Sequence, residues 1–170
     1  MKMADAAKMV PWILKWEGGY VNDKDDAGGC TCKGITIGTF RRYYGVGKTC
    51  DDLNHITNAQ WYHIFKTGYW DKVKADYIGN QSIAELCTQM VWGSGARAIY
   101  KIQSCLGVRA DGVVGEKTLA ALNADDSEAT FKKLWEMRKR WLMEIAMKGN
   151  NRKYLKGWLN RLNDLKYRAE

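Results

Sequence analysis

Proline occurs once in this 170-residue chain, at Pro11. No Ser/Gly-rich or Pro-rich tract is present either, so nothing reads as a tether between domains or as a disordered segment. Long apolar runs are also missing. The longest, Met9-Val10-Pro11-Trp12-Ile13-Leu14, falls far short of the ~20 residues that cross a bilayer, and no stable membrane insertion is expected. Asp5 and Lys8 break up the N-terminal segment, which therefore lacks the apolar core of a secretory signal. A product made in the cytoplasm without a signal peptide is expected. Histidine is scarce: His55 and His63 are the whole supply, and nothing orients either as an acid–base group. Cys30-Thr31-Cys32 lacks the spacing of zinc knuckles and redox motifs, so a structural zinc site is not expected. Five cysteines make a poor disulfide framework. They read as reduced, partly buried thiols, in keeping with a cytoplasmic origin.

What the chain does contain is apolar bulk and positive charge. Hydrophobic residues make up 46% and charged residues 27%, the balance of a folded protein of one domain, or one domain with a small appendage. The net charge of +8 favours a polyanionic partner: nucleic acid, an anionic membrane or an anionic cell-wall polymer. Eight tryptophans and nine tyrosines supply faces that stack on bases or sugar rings, although most belong in a core. No basic-aromatic sheet or recognition-helix signature is present, so nucleic acid is not expected as the partner. The Lys/Arg-rich C-terminal helices read as a solvated face that also attracts an anionic wall.

Periodicity predicts a mainly α protein. Ala6, Met9, Trp12 or Ile13, and Trp16 share one face of a helix over 5–17, ended by Gly18-Gly19, with Pro11 as its blemish. Residues 20–37 read as loop plus a small hairpin. Helices are expected at 38–45, after a Thr57–Gln60 capping box, and over 82–106 with a break at Gly93-Ser94-Gly95. A short helix at 115–123 follows. A second capping box at 125–128 opens a helix that ends at Gly149, and a last helix carries Leu155, Trp158, Leu159 and Leu162. The segment 20–37 is the one long stretch whose residues do not look chosen for packing.

That segment carries the chemistry. Glu17 ends its helix, where the negative end of the macrodipole and the apolar neighbours Trp12, Trp16 and Tyr20 favour the protonated acid. A carboxylic acid held protonated near neutrality is what a general acid needs. Asp23, Asp25 and Asp26 follow on a Gly-rich loop, where an ionised carboxylate stays hydrated. Two carboxylates in contrasting settings are the arrangement of glycoside hydrolysis. A calcium loop fails, because Ala27 and Gly34 fall where acidic ligands are required.

The run WEGGYVNDKDDAGGCTCKGIT resembles the signature of glycoside hydrolase family 108, lysozyme-like N-acetylmuramidases. Glu17, Gly18, Gly19, Tyr20, Asn22, Asp23, Asp26, Gly28, Gly29, Thr31, Gly34, Ile35 and Thr36 fall on it, and Lys24 replaces the usual proline. AQWYHIFKTGYW (59–70) resembles a helix of the same family. Trp92-Gly93-Ser94-Gly95 stands where the family has an Asn-Ser-Gly-like turn, without its Asn. IQSCLGVRADGVVGEKTLAAL (102–122) resembles a C-terminal peptidoglycan-binding element. The resemblance implies a lysozyme-like helical fold with a small β excursion near residues 20–37. It implies a catalytic region over 1–100, with a helical peptidoglycan-binding region over 101–170 packed on it as one structural unit.

The resemblance also implies roles. Glu17 becomes the acid that protonates the glycosidic oxygen. Asp26, with the eight-residue interval of phage-type lysozymes, becomes the second carboxylate, with Asp23 as the alternative; the same relation implies the wider, inverting separation. Thr31 or Thr36 helps place the water. Tyr20, Asn22, Trp92 and Ser94 are candidate substrate contacts, although for Asn22 closing the loop is the preferred role. The implied partner is bacterial peptidoglycan, met by a monomeric, cofactor-free enzyme after release by a holin, lysis or a secretion system, as for a phage or prophage endolysin. A non-catalytic wall-binding module and a lytic transglycosylase using the same Glu are the alternatives.

Overall fold

The computed structural model describes residues 3–22 and 29–169. Among them lie nine α-helices and one small sheet, so the mainly α reading with a β excursion holds. The contacts form two compact units, one of Ala6–Gly68 and one of Met1–Asp5 with Tyr69–Glu170.

The first unit opens with α1 (Ala6–Trp16), whose buried positions Ala6, Met9 and Ile13 follow the helical repeat. Pro11 sits in its second turn, on the exposed side, and removes one backbone bond without ending the helix. Glu17 still donates its amide to Ile13 at 3.0 Å. Neither Gly18 nor Gly19 takes a positive φ, so the expected left-handed glycine cap is not how this helix ends.

Three two-residue strands follow, β1 (Tyr20–Val21), β2 (Thr31–Cys32) and β3 (Ile35–Thr36), in an antiparallel meander. The β2–β3 turn places Lys33 at φ 48° and Gly34 at φ 77°. Two successive positive values suit the right-handed twist of a two-residue hairpin, and the glycine accepts its share without strain. The turn is held from outside: the buried Trp61 donates its Nε1–H to the Lys33 carbonyl at 2.9 Å.

Behind the sheet come α2 (Ile37–Tyr44), α3 (Cys50–Asn54) and α4 (Asn58–Phe65). The Thr57–Gln60 capping box forms as expected, and Thr49–Asp52 makes another that the sequence reading missed. Two hydrogen bonds from Thr49 hold the Asp52 carboxyl below the usual range. The reading of uniformly reduced thiols is corrected here. Cys30 and Cys50 are disulfide-bonded, joining the residue before β2 to the first residue of α3. Cys30 also accepts from the Ile37 amide at 2.9 Å, so bond and bridge anchor one buried residue. Cys32 and Cys87 remain free and buried. Burial pushes the Cys87 thiol up to about 12, which leaves it protonated and inert.

The second unit is built on α5 (Gln81–Ser94), whose residues from Gln81 to Val91 are all buried. α6 (Arg97–Leu106) and α8 (Ser127–Ala146) pack on it, α7 (Glu116–Leu122) packs on α6, and α9 (Leu155–Asp164) packs on α8. The expected break in 82–106 occurs at Gly95-Ala96, where Gly95 takes φ 63°. The expected box at 125–128 forms only in part: Asp126 is the N-cap and accepts from Ala129, without a reciprocal side chain. Several polar groups of α5 are answered by distant chain. Gln81 binds Asp5 through both backbone groups, at 2.8 and 3.0 Å. Ser82 accepts from the Arg168 amide at 3.0 Å, and Glu85 pairs with the Arg168 guanidinium.

Two outcomes follow. Closing a loop with a separation of 20 residues stabilises the fold by about 3 kcal/mol in the chain-entropy treatment. Cys50→Ser should therefore lower the melting temperature by roughly 10 °C, and a reductant should lower the wild type similarly but leave the variant unmoved. A fragment of residues 101–170 should not melt cooperatively by calorimetry, because α6 and α8 lose α5, the helix they cover.

Candidate active site

Glu17 stands one residue past the end of α1 and is half-buried. Trp12 and Trp16, on the last turns of α1, are half-buried as well. The Trp12 Nε1 is buried without a hydrogen-bond partner among the described residues, while Lys15 holds its ammonium 5.3 Å from the Trp16 ring centroid. Apolar indole surface therefore stands in the helix end that carries the acid, as the spacing of Trp12, Trp16 and Glu17 implies. A Cβ added at Gly18 or Gly19 meets no atom of the described residues within 4 Å. Among the described residues, nothing fills the space above the backbone at Gly18 and Gly19, as a bulky polymeric ligand requires.

Three residues after Glu17 the chain enters β1. The register pairs Tyr20 with Cys32 and Val21 with Thr31, then Thr31 with Thr36 and Cys32 with Ile35. Cross-strand partners share a face. Val21, Thr31 and Thr36 therefore lie on one face, and Tyr20, Cys32 and Ile35 on the other. Cys32 and Ile35 are buried, so the threonine face is the outer one.

The two threonines are not equivalent. Thr36 caps α2, accepting from the Thr39 amide at 3.2 Å and bonding the Thr39 hydroxyl at 3.2 Å. Thr31 makes no such capping bond among the described residues and sits half-buried in the middle strand. Tyr20 is 37% exposed, on the opposite face from the threonines. Asn22 is exposed and follows β1 directly. Asp23, Asp25 and Asp26 lie outside the described residues. Val21 and Thr31, on either side of them in the sequence, are direct cross-strand partners.

Trp92 and Ser94 belong to the other compact unit, on the last turn of α5. Trp92 packs its ring 4.5 Å from that of Tyr69. Ser94 accepts a 2.9 Å hydrogen bond from Arg138 on α8. Arg138 was not singled out from the sequence. The signal was there: Leu134, Arg138 and Leu142 recur every four residues along the buried stripe of α8, so a charged side chain occupies an apolar position. Of the histidines, His55 bonds the Asp51 carbonyl at 2.9 Å and His63 packs edge-on to Tyr43. No group of acidic, Cys or His side chains fit to hold a metal occurs among the described residues.

Residues 10–95 match the family described as glycosyl hydrolase 108. The chain belongs to that family. Residues 97–163 match a predicted peptidoglycan domain, so the boundary between the two matches falls at the break between α5 and α6. The solved structure of SagA from Brucella abortus is 31% identical, with a TM-score of 0.82 over 94% of this chain and 90% of that one. No curated protein matches. Glycosyl hydrolase activity and peptidoglycan as the partner follow at the level of the glycosyl hydrolase 108 family and its peptidoglycan domain.

The unequal threonines yield a test. Thr36→Val should destabilise the fold by about 1 kcal/mol through loss of the cap. Thr31→Val should leave the melting temperature near that of the wild type and lower turnover by about tenfold, the worth of one hydrogen bond to a water in the site. Paired thermal melts and rates of wall solubilisation distinguish the two.

Proposed function

We propose that the chain is a lysozyme-type N-acetylmuramidase that hydrolyses the β-1,4 bond between N-acetylmuramic acid and N-acetylglucosamine. The observation that supports this best is the placing of Glu17. It ends a tryptophan-bearing helix, is followed by open backbone, and leads directly into the hairpin that carries the signature threonines. Residues 1–100 would hold the catalytic region, and 101–170 the peptidoglycan-binding region.

In this reading Glu17 gives its proton to the glycosidic oxygen as the bond from C1 to that oxygen breaks. The second carboxylate, Asp26 in preference to Asp23, takes a proton from the water that adds to C1. Solvent then restores both groups. Thr31 holds the water, and Tyr20 and Asn22 border the glycan. Trp92 supplies aromatic surface and Ser94 a hydroxyl to the substrate. The enzyme acts as a monomer. Its action lies outside the cytoplasm, after a holin, lysis or a secretion system has released it. The Cys30–Cys50 bridge supports that setting, since disulfides persist in oxidising compartments. A phage or prophage endolysin suits the same chemistry.

The test is turnover of purified peptidoglycan, read as new reducing ends. Glu17→Gln keeps the shape and should cost ~10²–10⁴-fold while the folded variant still binds the wall. Substantial lysis by a folded Glu17→Gln protein would sink the assignment. Asp26→Asn should cost far more than Asp23→Asn, and the reverse order would move the second role to Asp23. Anhydro-sugar products in place of reducing ends would replace hydrolysis by the transglycosylase reaction.

A further inference from the structure

Arg138 lies inside the second unit with 2% of its surface exposed. No carboxylate among the described residues pairs with it. Its Nη1 donates to Ser94 Oγ at 2.9 Å and its guanidinium lies 4.7 Å from the Trp141 ring centroid, but its Nε is buried without a partner. Its Nη2 lies 3.1 Å from where a Cβ on Gly93 would stand, so the missing side chain of Gly93 is what lets the guanidinium reach the end of α5. Burial, and then the like charge of Arg161, push the Arg138 guanidinium down to about 10. It therefore stays charged at neutral pH, at a cost that no carboxylate among the described residues offsets.

This guanidinium borders a cavity of about 180 Å³ between α5, α8 and α9. Arg161 and Ser94 add to its polar wall, and Leu142 and Trp158 to its apolar wall. Gln89 lines it too, and its Oε1 is the second buried polar atom here without a partner. Two of its lining residues, Arg138 and Gln89, thus carry an unanswered donor and an unanswered acceptor, beside the like charge of Arg161 and with apolar surface between. Next to it, sharing Ser94 and Ile145, lies a basin of about 650 Å³ bordered by Arg97, Lys101, Lys148 and Trp141. This larger basin draws anionic polymer toward the smaller cavity.

A buried cation asks for an anion, and a buried carbonyl asks for an N–H. A chain-terminal amino-acid residue supplies both from adjacent atoms, the carboxylate and its own amide. The volume admits a small side chain, for which the apolar wall is suited. We infer that the cavity between α5, α8 and α9 binds the C-terminal residue of a short peptide, such as the alanine-terminated stem of peptidoglycan. Its carboxylate sits on Arg138 and Arg161, its amide N–H on Gln89 and its methyl against Leu142 and Trp158. The choice of peptide rests on the peptidoglycan reading above; the demand for a carboxylate beside an N–H rests on the cavity alone. The enzyme would thereby hold the peptide arm of the wall as well as its glycan.

The test is calorimetric or NMR titration of the full-length wild type with Nα-acetyl-D-alanyl-D-alanine, its C-terminal amide, and inorganic phosphate at equal ionic strength. The acid should bind, and the amide should bind about 30-fold more weakly or worse, as expected when one partner of a buried charge pair is removed. Phosphate should not displace the acid. Equal binding of acid and amide, no binding of the acid, or displacement by phosphate would each overturn the inference. This comparison needs no variant. Arg138→Met keeps the volume, should fold at least as stably, and should abolish the difference between acid and amide; a folded Arg138→Met protein that retains it would overturn the assignment to Arg138. Glu17→Gln should bind the peptide unchanged. Peptide binding without wall hydrolysis would sink the muramidase reading alone, and hydrolysis without peptide binding would sink this inference alone.

Discussion

The second unit depends on how the polar side of α5 is satisfied. Gln81, Ser82, Glu85, Thr88 and Gln89 are buried along with the apolar residues of that helix, a burden that unpaired polar groups would turn into a large penalty. Asn80 caps the helix, its Oδ1 accepting from the Ser82 and Ile83 amides at 2.9 and 3.1 Å while its Nδ2 donates to the Arg168 carbonyl at 3.1 Å. Asp5 and Arg168, from opposite ends of the described chain, meet Gln81, Ser82 and Glu85. The first turns of α5, at Gln81, Ser82 and Glu85, are thus satisfied by chain 76 and more residues away, whereas Gln89 Oε1, further along, is not. A truncation that removes either segment therefore exposes the middle of this unit rather than its edge.

Local signals were legible in the sequence and distant ones were not. The end of α1 at Glu17, the break near Gly95 and the Thr57–Gln60 box each depend on residues within a few positions of one another. Their physics is written in the local order of residues. The Cys30–Cys50 bridge is different. An odd number of cysteines hides a pair, and only the fold brings residue 50 back to residue 30. The full burial of α5 was hidden for the same reason, since its polar residues look like a solvent-facing side until Asp5 and Arg168 are placed. Part of the candidate site was readable as a motif running from Glu17 to Thr36. The difference between Thr31 and Thr36 was not, because the cap on α2 and the strand register decide it.

The first unit shows a related economy of means. A hairpin of six strand residues has little stability of its own. Here it is tied at three points outside its own ladder: the disulfide and the Ile37 amide at Cys30, and Trp61 at the Lys33 carbonyl. The signature residues are thus carried on a scaffold made rigid by neighbours rather than by strand length. Precise placing of catalytic groups requires that kind of support.

The meeting of Asp5 and Arg168 on the first turns of α5 has a topological corollary. The bonds they make go to Gln81, Ser82 and Glu85, which span little more than one helical turn. The polypeptide therefore enters and leaves the second unit at neighbouring points. Anything fused before residue 5 or after residue 168 would emerge from the same spot. A short peptide linking the two would close the chain into a ring, and new ends opened in a surface loop would leave the polar clasp on α5 intact.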